Sequence, residues 1–133
     1  MLARDKVIKS FGPGSHAATF GGNPLAAAAG FAAIKVLADE NFLSHVNEMG
    51  CYFLDKLSGI KKRYPFIKNV RGKGIMIAME MDFPSNKIVD YCMKEGVLIN
   101  CIQGNILRFL PPLVAQKDNI DYLTRVLEQS FEK

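Results

Sequence analysis

Two segments of the sequence carry residue types that bind anions. The first is GSHAATFGGNP, from Gly14 to Pro24, a glycine-rich loop that holds Thr19 and leads into a predicted helix. The first N–H groups of a helix are unpaired and lie at the positive end of its dipole, so they attract phosphate. Capping turns use the same residue types for their own hydrogen bonds, so the loop predicts either a phosphate site or a capping turn.

The second segment is ILRFLPPL, which places Arg108 among apolar residues. Strand alternation puts Arg108 on one face with Ile106 and Leu110, and it puts Leu107 and Phe109 on the other. If both faces are covered, the guanidinium is desolvated and needs an anionic or carbonyl partner. Its planar fork fits a carboxylate, which can belong to the protein or to a ligand. Both alternatives stay open at this point.

The remaining titratable residues predict no self-contained active site. No nucleophile elbow occurs, and no set of carboxylates and histidines has metal-ligand spacing, so no metal is expected. His45 is predicted to be a solvated or helix-packing residue. Glu80 and Asp82 share one face of a predicted strand, so they form either an acid/base pair or, as we favour, a solvated strand end.

The composition predicts one soluble globular domain, because 133 residues with 49% apolar and 23% charged side chains are typical of such domains. Three cysteines without a CxxC motif argue against a disulfide framework, so we expect reduced core thiols in a cytoplasmic protein. The apolar stretch from Leu25 to Ala38 is too short to span a bilayer, and it contains Lys35. No signal peptide precedes it, so no membrane association is expected.

The net charge of +4 comes from one part of the chain. Without six basic residues, 11 positive charges remain against 13 negative ones. We expect this run to be solvated, since its first members complement the negative end of a helix dipole. A phosphate-binding stripe is the alternative, but nucleic acid is not an expected partner, because such stripes normally contain stacking aromatics. The run comprises Lys61, Lys62, Arg63, Lys68, Arg71 and Lys73.

Periodicity predicts the elements that position these residues. Residues 1–22 are predicted to be irregular. A helix follows with Asn23 as N-cap and Pro24 in its first turn, and it is predicted to be buried because it is apolar on nearly all sides. From Phe42 to Ile60, apolar residues recur every three or four positions, which predicts a long amphipathic helix ending before Pro65.

The second half of the chain predicts a small sheet. Alternating apolar residues indicate extended segments over 66–70, 75–82, 97–101 and 106–110, with Gln103-Gly104-Asn105 as the turn of a hairpin. Two helices are predicted, one after the N-cap Ser85 and one with an apolar stripe from Ile120 to Phe131. The fold class is therefore α+β, a small antiparallel-rich sheet with helices on one face.

Four ordered motifs carry a resemblance to a known family: GSHAATFGGNPLAAAAG, VRGKGIMIAMEM, GVLIN and GNILRFLPPL. Together they resemble the C-terminal portion of the class III pyridoxal-phosphate aminotransferases, and most of all the acetylornithine aminotransferases. The resemblance implies the small C-terminal domain of a fold type I enzyme. Residues 1–23 would be a stub of the large domain with the cofactor-phosphate loop, residues 24–64 long linking helices, and residues 65–133 a small α/β sandwich domain.

The resemblance also implies two site residues. Thr19 would bind the phosphate of the cofactor, pyridoxal 5'-phosphate, across a dimer interface, and Arg108 would hold the substrate α-carboxylate. Ala18 stands where the family usually has serine or threonine, so a hydroxyl is missing beside Thr19. His16 matches the motif, but the resemblance gives it no role and we interpret it as structural. No catalytic residue is predicted within the chain.

The implied reaction transfers the terminal amino group of N-acetylornithine to 2-oxoglutarate in arginine biosynthesis, with amino acids and 2-oxo acids as substrates and a homodimer as the working unit. The family lysine that holds the cofactor is expected just before Met1, so the isolated chain is expected to be inactive. Ornithine, succinylornithine or 4-aminobutyrate aminotransferases are alternatives within the class. A stand-alone α+β module that binds an anion or amino acid is an alternative outside it.

Overall fold

The computed structural model describes residues 4–12, 14–16 and 18–132. These form two compact units, Met1–Asp39 and Glu40–Lys133. The domain boundaries after residues 23 and 64 stay a prediction, and in this division the two long helices fall in different units. The second long helix, which begins at Glu40, packs against the sheet and therefore shares a core with the sheet.

The first unit contains the short helix α1 (Asp5–Ile8), in a region predicted to be irregular, and helix α2 (Pro24–Leu37). Asn23 caps α2 as predicted, since its Oδ1 accepts a hydrogen bond of 2.9 Å from the Ala26 N–H. The prediction that α2 is buried is wrong for this chain. Leu25 is 81% exposed and Phe31 is 72% exposed, because no described residue of this chain covers them.

Helix α3 (Glu40–Arg63) begins the second unit and confirms the predicted amphipathic helix. Its apolar stripe is buried, and it ends before Pro65, as expected for a residue that restricts the backbone before it. Gly50 lies within this stripe and directly against the backbone of Gly74, where a Cβ would come within 2.5 Å of the Gly74 carbonyl oxygen. The buried stripe comprises Val46, Met49, Gly50, Phe53, Leu57 and Ile60.

Four antiparallel strands form the sheet: β1 (Ile67–Lys73), β2 (Met76–Met81), β3 (Asn100–Ile102) and β4 (Ile106–Phe109). Their order is β1-β2-β4-β3, so β1 and β3 are edge strands. One face carries the alternating apolar side chains of β2 and β4, which are nearly inaccessible to solvent. These side chains are Ile77, Met79, Met81, Leu107 and Phe109.

Helices α4 (Asn86–Lys94) and α5 (Lys117–Phe131) complete the second unit. Their buried apolar residues belong to the same core cluster as α3 and the apolar face of the sheet, which confirms the predicted α+β architecture with helices on one face. The hairpin turn differs in detail. Gln103 and Gly104 have positive φ angles of 54° and 84°, whereas Asn105 does not and instead donates from Nδ2 to the Met81 carbonyl oxygen at 2.9 Å.

The three cysteines are free thiols, as expected. Cys92 is buried, and this burial raises its pKa to about 11. The prediction of a core position is wrong for Cys51, which is exposed because it lies on the outward side of α3. No helix in the described part of the chain is both long and apolar enough to cross a membrane.

Candidate functional site

Thr19 lies in a turn of the first unit that leads into α2. Its side chain is exposed, and none of the side-chain hydrogen bonds in the described part of the chain uses its hydroxyl. Gly22 has a φ angle of 73°, in the left-handed region that favours glycine, and this conformation directs the chain into the helix. The Thr19 hydroxyl is therefore available to a ligand.

The N-terminus of α2 is partly satisfied by its own cap. Pro24 has no N–H, and the Ala26 N–H is bonded to Asn23, so among the first three residues the Leu25 N–H is the donor left over. The Asn23 amide also donates to the Phe20 carbonyl oxygen at 2.6 Å. The loop geometry is thus compatible with both alternatives, a capping turn and a phosphate site. A capping turn is present, and one hydroxyl and one N–H stay available for a phosphate.

Arg108 lies in the second unit, on the face of the sheet opposite to the apolar core. The strand register places Arg71, Ala78, Arg108 and Asn100 in one row across the four strands. Leu107 and Phe109 point into the core, as the alternation predicts, and Arg108 is exposed. Each of the two candidate residues is thus positioned by its own unit, Thr19 by a helix-capping turn and Arg108 by a strand.

The condition under which Arg108 would be desolvated is not met. Ile106 on the same face is 6% exposed, but Leu110 is 64% exposed and the Arg108 side chain reaches solvent. Within the described ranges Arg108 forms no ion pair, and its Nε donates to the neutral Oδ1 of Asn100 at 3.1 Å. The alternative of a carboxylate partner supplied by the protein is therefore not observed.

Asn100 is the functional candidate that sequence reasoning missed. A two-residue step on each side of Gly104 pairs Ile102 with Ile106, and two further residues pair Asn100 with Arg108. Counting the register outward from the centre of the predicted hairpin turn therefore gives this pairing. The signal was present in the sequence, but a polar residue on an edge strand carries no chemical motif of its own.

The basic run and the acidic strand residues neutralise each other in part. Arg71 Nη1 lies 2.7 Å from Glu80 Oε2, and Lys68 Nζ lies 2.9 Å from Asp82 Oδ2. Arg63 is paired with Glu128 across α3 and α5. Three of the six basic side chains are therefore ion-paired, and Glu80 and Asp82 have cations rather than each other as partners.

The two histidines have structural contacts. His45 is half-buried, and its Nε2 lies 3.1 Å from the Ala115 carbonyl oxygen, so it packs α3 against the segment before α5. His16 contacts the ring of Phe11, with 5.2 Å between ring centroids. Among the residues that the structure describes, no cluster of histidine, cysteine and carboxylate side chains is arranged to hold a metal ion.

Comparison with known proteins gives consistent results. The family model for Aminotransferase class-III matches residues 1–131. An acetylornithine aminotransferase of Methanosarcina acetivorans is 47% identical over 121 residues, which cover 91% of this chain and 30% of that protein. An ornithine aminotransferase of Oceanobacillus iheyensis is 40% identical over 129 residues, which cover 97% of this chain and 32% of that protein.

Solved structures share the fold. The ornithine aminotransferase of Toxoplasma gondii, crystallised in the presence of oxidised glutathione, superposes with a TM-score of 0.79 at 34% identity. The match covers 98% of this chain and 32% of that one, and the structure is described as having partial occupancy of PLP at its active site. The chain thus spans about a third of the length of the relatives it matches.

Proposed function

The chain belongs to the class III aminotransferases, and from this membership we propose that it supplies the substrate-carboxylate site of an acetylornithine aminotransferase. In the proposed reaction, the terminal amino group of N-acetylornithine is transferred to 2-oxoglutarate, which yields N-acetylglutamate semialdehyde and glutamate. The reaction belongs to arginine biosynthesis. The 47% identity to the Methanosarcina acetivorans enzyme supports this choice of donor.

Arg108 carries the proposal. The other arginines of the second unit already have partners. Arg63 and Arg71 pair with glutamates, and Arg125 lies over the Tyr122 ring at 5.2 Å. The Arg108 guanidinium contacts a neutral amide, so among the described residues no carboxylate compensates its charge and no acceptor occupies its terminal Nη groups, which can bind a carboxylate bidentately. Every substrate and product of the proposed reaction carries an α-carboxylate.

Pyridoxal 5'-phosphate is the proposed cofactor. The Thr19 hydroxyl and the Leu25 N–H are the proposed donors to its phosphate, because neither has a partner in the described part of the chain and Leu25 lies in the first turn of α2, at the positive end of the helix. When bound, pyridoxal 5'-phosphate would supply the reversible carriage of the amino group between donor and acceptor. We propose that Thr19 serves the active site of a second subunit, so the working enzyme is a homodimer, and that the enzyme acts in the cytoplasm.

We propose that the remaining catalytic residues, including the lysine that holds the cofactor, lie in a part of the enzyme outside this chain. The complete enzyme should form glutamate from N-acetylornithine and 2-oxoglutarate, and the isolated chain with added cofactor should not. Turnover by the isolated chain would contradict this proposal. So would a complete enzyme that is inactive with N-acetylornithine.

Replacing Arg108 with alanine in the complete enzyme tests the site directly. The expected result is a drop of about a hundredfold in kcat/KM for 2-oxoglutarate, because two charge-assisted hydrogen bonds are lost. Arg125→Ala is the matched control, since it removes the same charge from α5, and it should leave kcat/KM within twofold. Equal losses in the two variants would contradict a specific role for Arg108.

Ornithine is the second candidate donor, favoured by the 40% identity to the Oceanobacillus iheyensis ornithine aminotransferase. The two donors differ by the N-acetyl group on the α-nitrogen. Measuring kcat/KM for both donors with the complete enzyme decides between them. A preference of tenfold or more for ornithine would favour this second candidate.

A further inference from the structure

Asn100 and Arg108 are direct cross-strand neighbours on the edge of the sheet. Their strands β3 and β4 pair antiparallel, and the Asn100 side chain accepts the Nε–H of Arg108 at 3.1 Å. Because Nε can only donate, the accepting atom of Asn100 is its carbonyl oxygen, and the amide Nδ2 is turned away from the contact. The proposed function assigns a role to Arg108 but none to this contact with Asn100.

The contact fixes how the guanidinium presents itself. A guanidinium has five N–H donors in one plane, and Asn100 occupies the one on Nε. The four that remain lie on the two Nη atoms at the outer end of the plane. A carboxylate therefore binds end-on, with one oxygen to each Nη, rather than side-on across Nε and one Nη.

The contact also preserves the charge of Arg108. Arg71 lies in the same row of the sheet, two strands away, and its partner is the carboxylate of Glu80 at 2.7 Å. Such a partner orients a guanidinium and compensates its charge, whereas an amide orients it without compensating its charge. The same face of the sheet thus holds one arginine that is compensated and one that is not.

We propose that Asn100 is a positioning residue for substrate binding: it holds the Arg108 guanidinium in the plane in which both Nη groups meet the substrate α-carboxylate. This inference rests on the proposed function, because it assigns Arg108 to that carboxylate. The benefit is entropic. A free arginine side chain loses rotamer entropy when it is fixed, and Asn100 fixes part of it before the substrate arrives.

A purely structural role makes a different prediction. Polar residues on edge strands hinder edge-to-edge pairing and need no ligand. If Asn100 served only that purpose, its replacement would change stability or solubility and would affect all substrates equally. If Asn100 positions Arg108, its replacement weakens the binding of ligands with an α-carboxylate only.

The test uses the complete enzyme and two compounds that differ in one group. Glutamate carries the α-carboxylate, and 4-aminobutyrate is the same molecule without it. In Asn100→Ala, we expect the KM for glutamate to rise about tenfold, the effect of one hydrogen bond to a charged group, with kcat within twofold. The inhibition constant of 4-aminobutyrate against N-acetylornithine should change by less than twofold.

Two further variants complete the experiment. Asn69→Ala is the matched control, since Asn69 is an exposed asparagine on the other edge strand, and it should alter neither constant. In an Arg108→Ala background, Asn100→Ala should have no additional effect, because the group that it positions is gone. The thermal unfolding midpoint of each variant shows whether it is folded.

Three results would overturn the inference while leaving the proposed function intact. They are an unchanged KM for glutamate in Asn100→Ala, an equal rise in both constants, and a full additional effect in the Arg108→Ala background. A complete wild-type enzyme whose rate does not saturate with either N-acetylornithine or 2-oxoglutarate would instead overturn the proposed function, and this inference with it.

Discussion

The helices α2 and α3 are both rich in apolar residues, yet only α3 is buried in this chain. Helix α2 has small or apolar side chains on nearly every side and no buried residue, whereas α3 concentrates its apolar residues in one stripe and buries that stripe from Val46 to Ile60, while Leu43 outside it is 44% exposed. Burial therefore follows from the presence of a matching surface and not from apolar content. In α3 the matching surface is the apolar face of the sheet, and in the described part of the chain α2 has none.

The largest test of this comparison is a pair of leucine truncations. Leu57 in α3 is completely inaccessible to solvent, and Leu25 in α2 is 81% exposed. Leu57→Ala should lower the free energy of unfolding by about 2–5 kcal/mol, because it leaves a cavity in the core. Leu25→Ala should change it by about 0.5 kcal/mol or less. Urea unfolding followed by circular dichroism measures both, and similar losses would contradict the contrast.

Two glycines within α3 allow the same comparison between a covered and an uncovered side of one helix. A Cβ at Gly50 would meet the Gly74 backbone at 2.5 Å, whereas a Cβ at Gly59 would meet no atom within 4 Å. Gly50→Ala should destabilise the protein by about 3 kcal/mol, since the helix and the β1–β2 turn must separate. Gly59→Ala should stabilise it by about 0.5–1 kcal/mol through helix propensity. A neutral Gly50→Ala would show that α3 does not pack tightly there.

The pH dependence of stability tests the packing of α3 against α5. Lys56 and the Tyr52 hydroxyl both bond to Asp121, and these bonds lower the pKa of Asp121. A lowered pKa in the folded state contributes stability above the unfolded pKa, and that contribution is lost as the pH falls through the folded value. Asp121→Asn should therefore lower the unfolding midpoint at neutral pH, with a difference that vanishes once the pH falls below the lowered pKa of Asp121.

The control for this pH series is Asp90→Asn in α4. Asp90 is exposed and takes part in no ion pair among the described residues. Its replacement should leave the midpoint unchanged from neutral to acidic pH. A difference for Asp121→Asn that persists undiminished in acid would mean that the bonds to Asp121 are not the cause.

The smallest expected effect comes from removing the first unit. None of its described residues is buried, so it contributes little to the core. A protein consisting of residues 40–133 should therefore unfold within about 1 kcal/mol of the full chain, because the free energy of unfolding follows buried apolar area. A larger loss on urea unfolding would show that the first unit stabilises the second.

Much of the fold was predictable because its signals are local. The three-to-four spacing from Phe42 to Ile60 specified α3, and the alternation through Ile77 and Met79 specified β2 and its buried face. The Asn23-Pro24 pair specified the start of α2. Each of these patterns reflects the geometry of one element, so no distant residue is needed to interpret it.

The candidate site was only partly predictable. Thr19 and Arg108 were found from their motifs, and both have unused donors in the structure. The expected covering of α2 was not found, the condition under which Arg108 would be desolvated was not met, and Asn100 was overlooked. These three points depend on which surfaces meet and on which side chain stands opposite another, and a motif read along one segment does not contain that information.

The sequence by itself determined the type and approximate limits of the main elements and the family, and it predicted Thr19 and Arg108 as the anion-binding residues. Only the tertiary structure decided that the apolar stripe of α3 is covered while α2 is exposed, and that the partner of Arg108 is a neutral amide. The physical reason is that periodicity is a property of one segment, whereas burial and charge compensation are properties of two surfaces in contact.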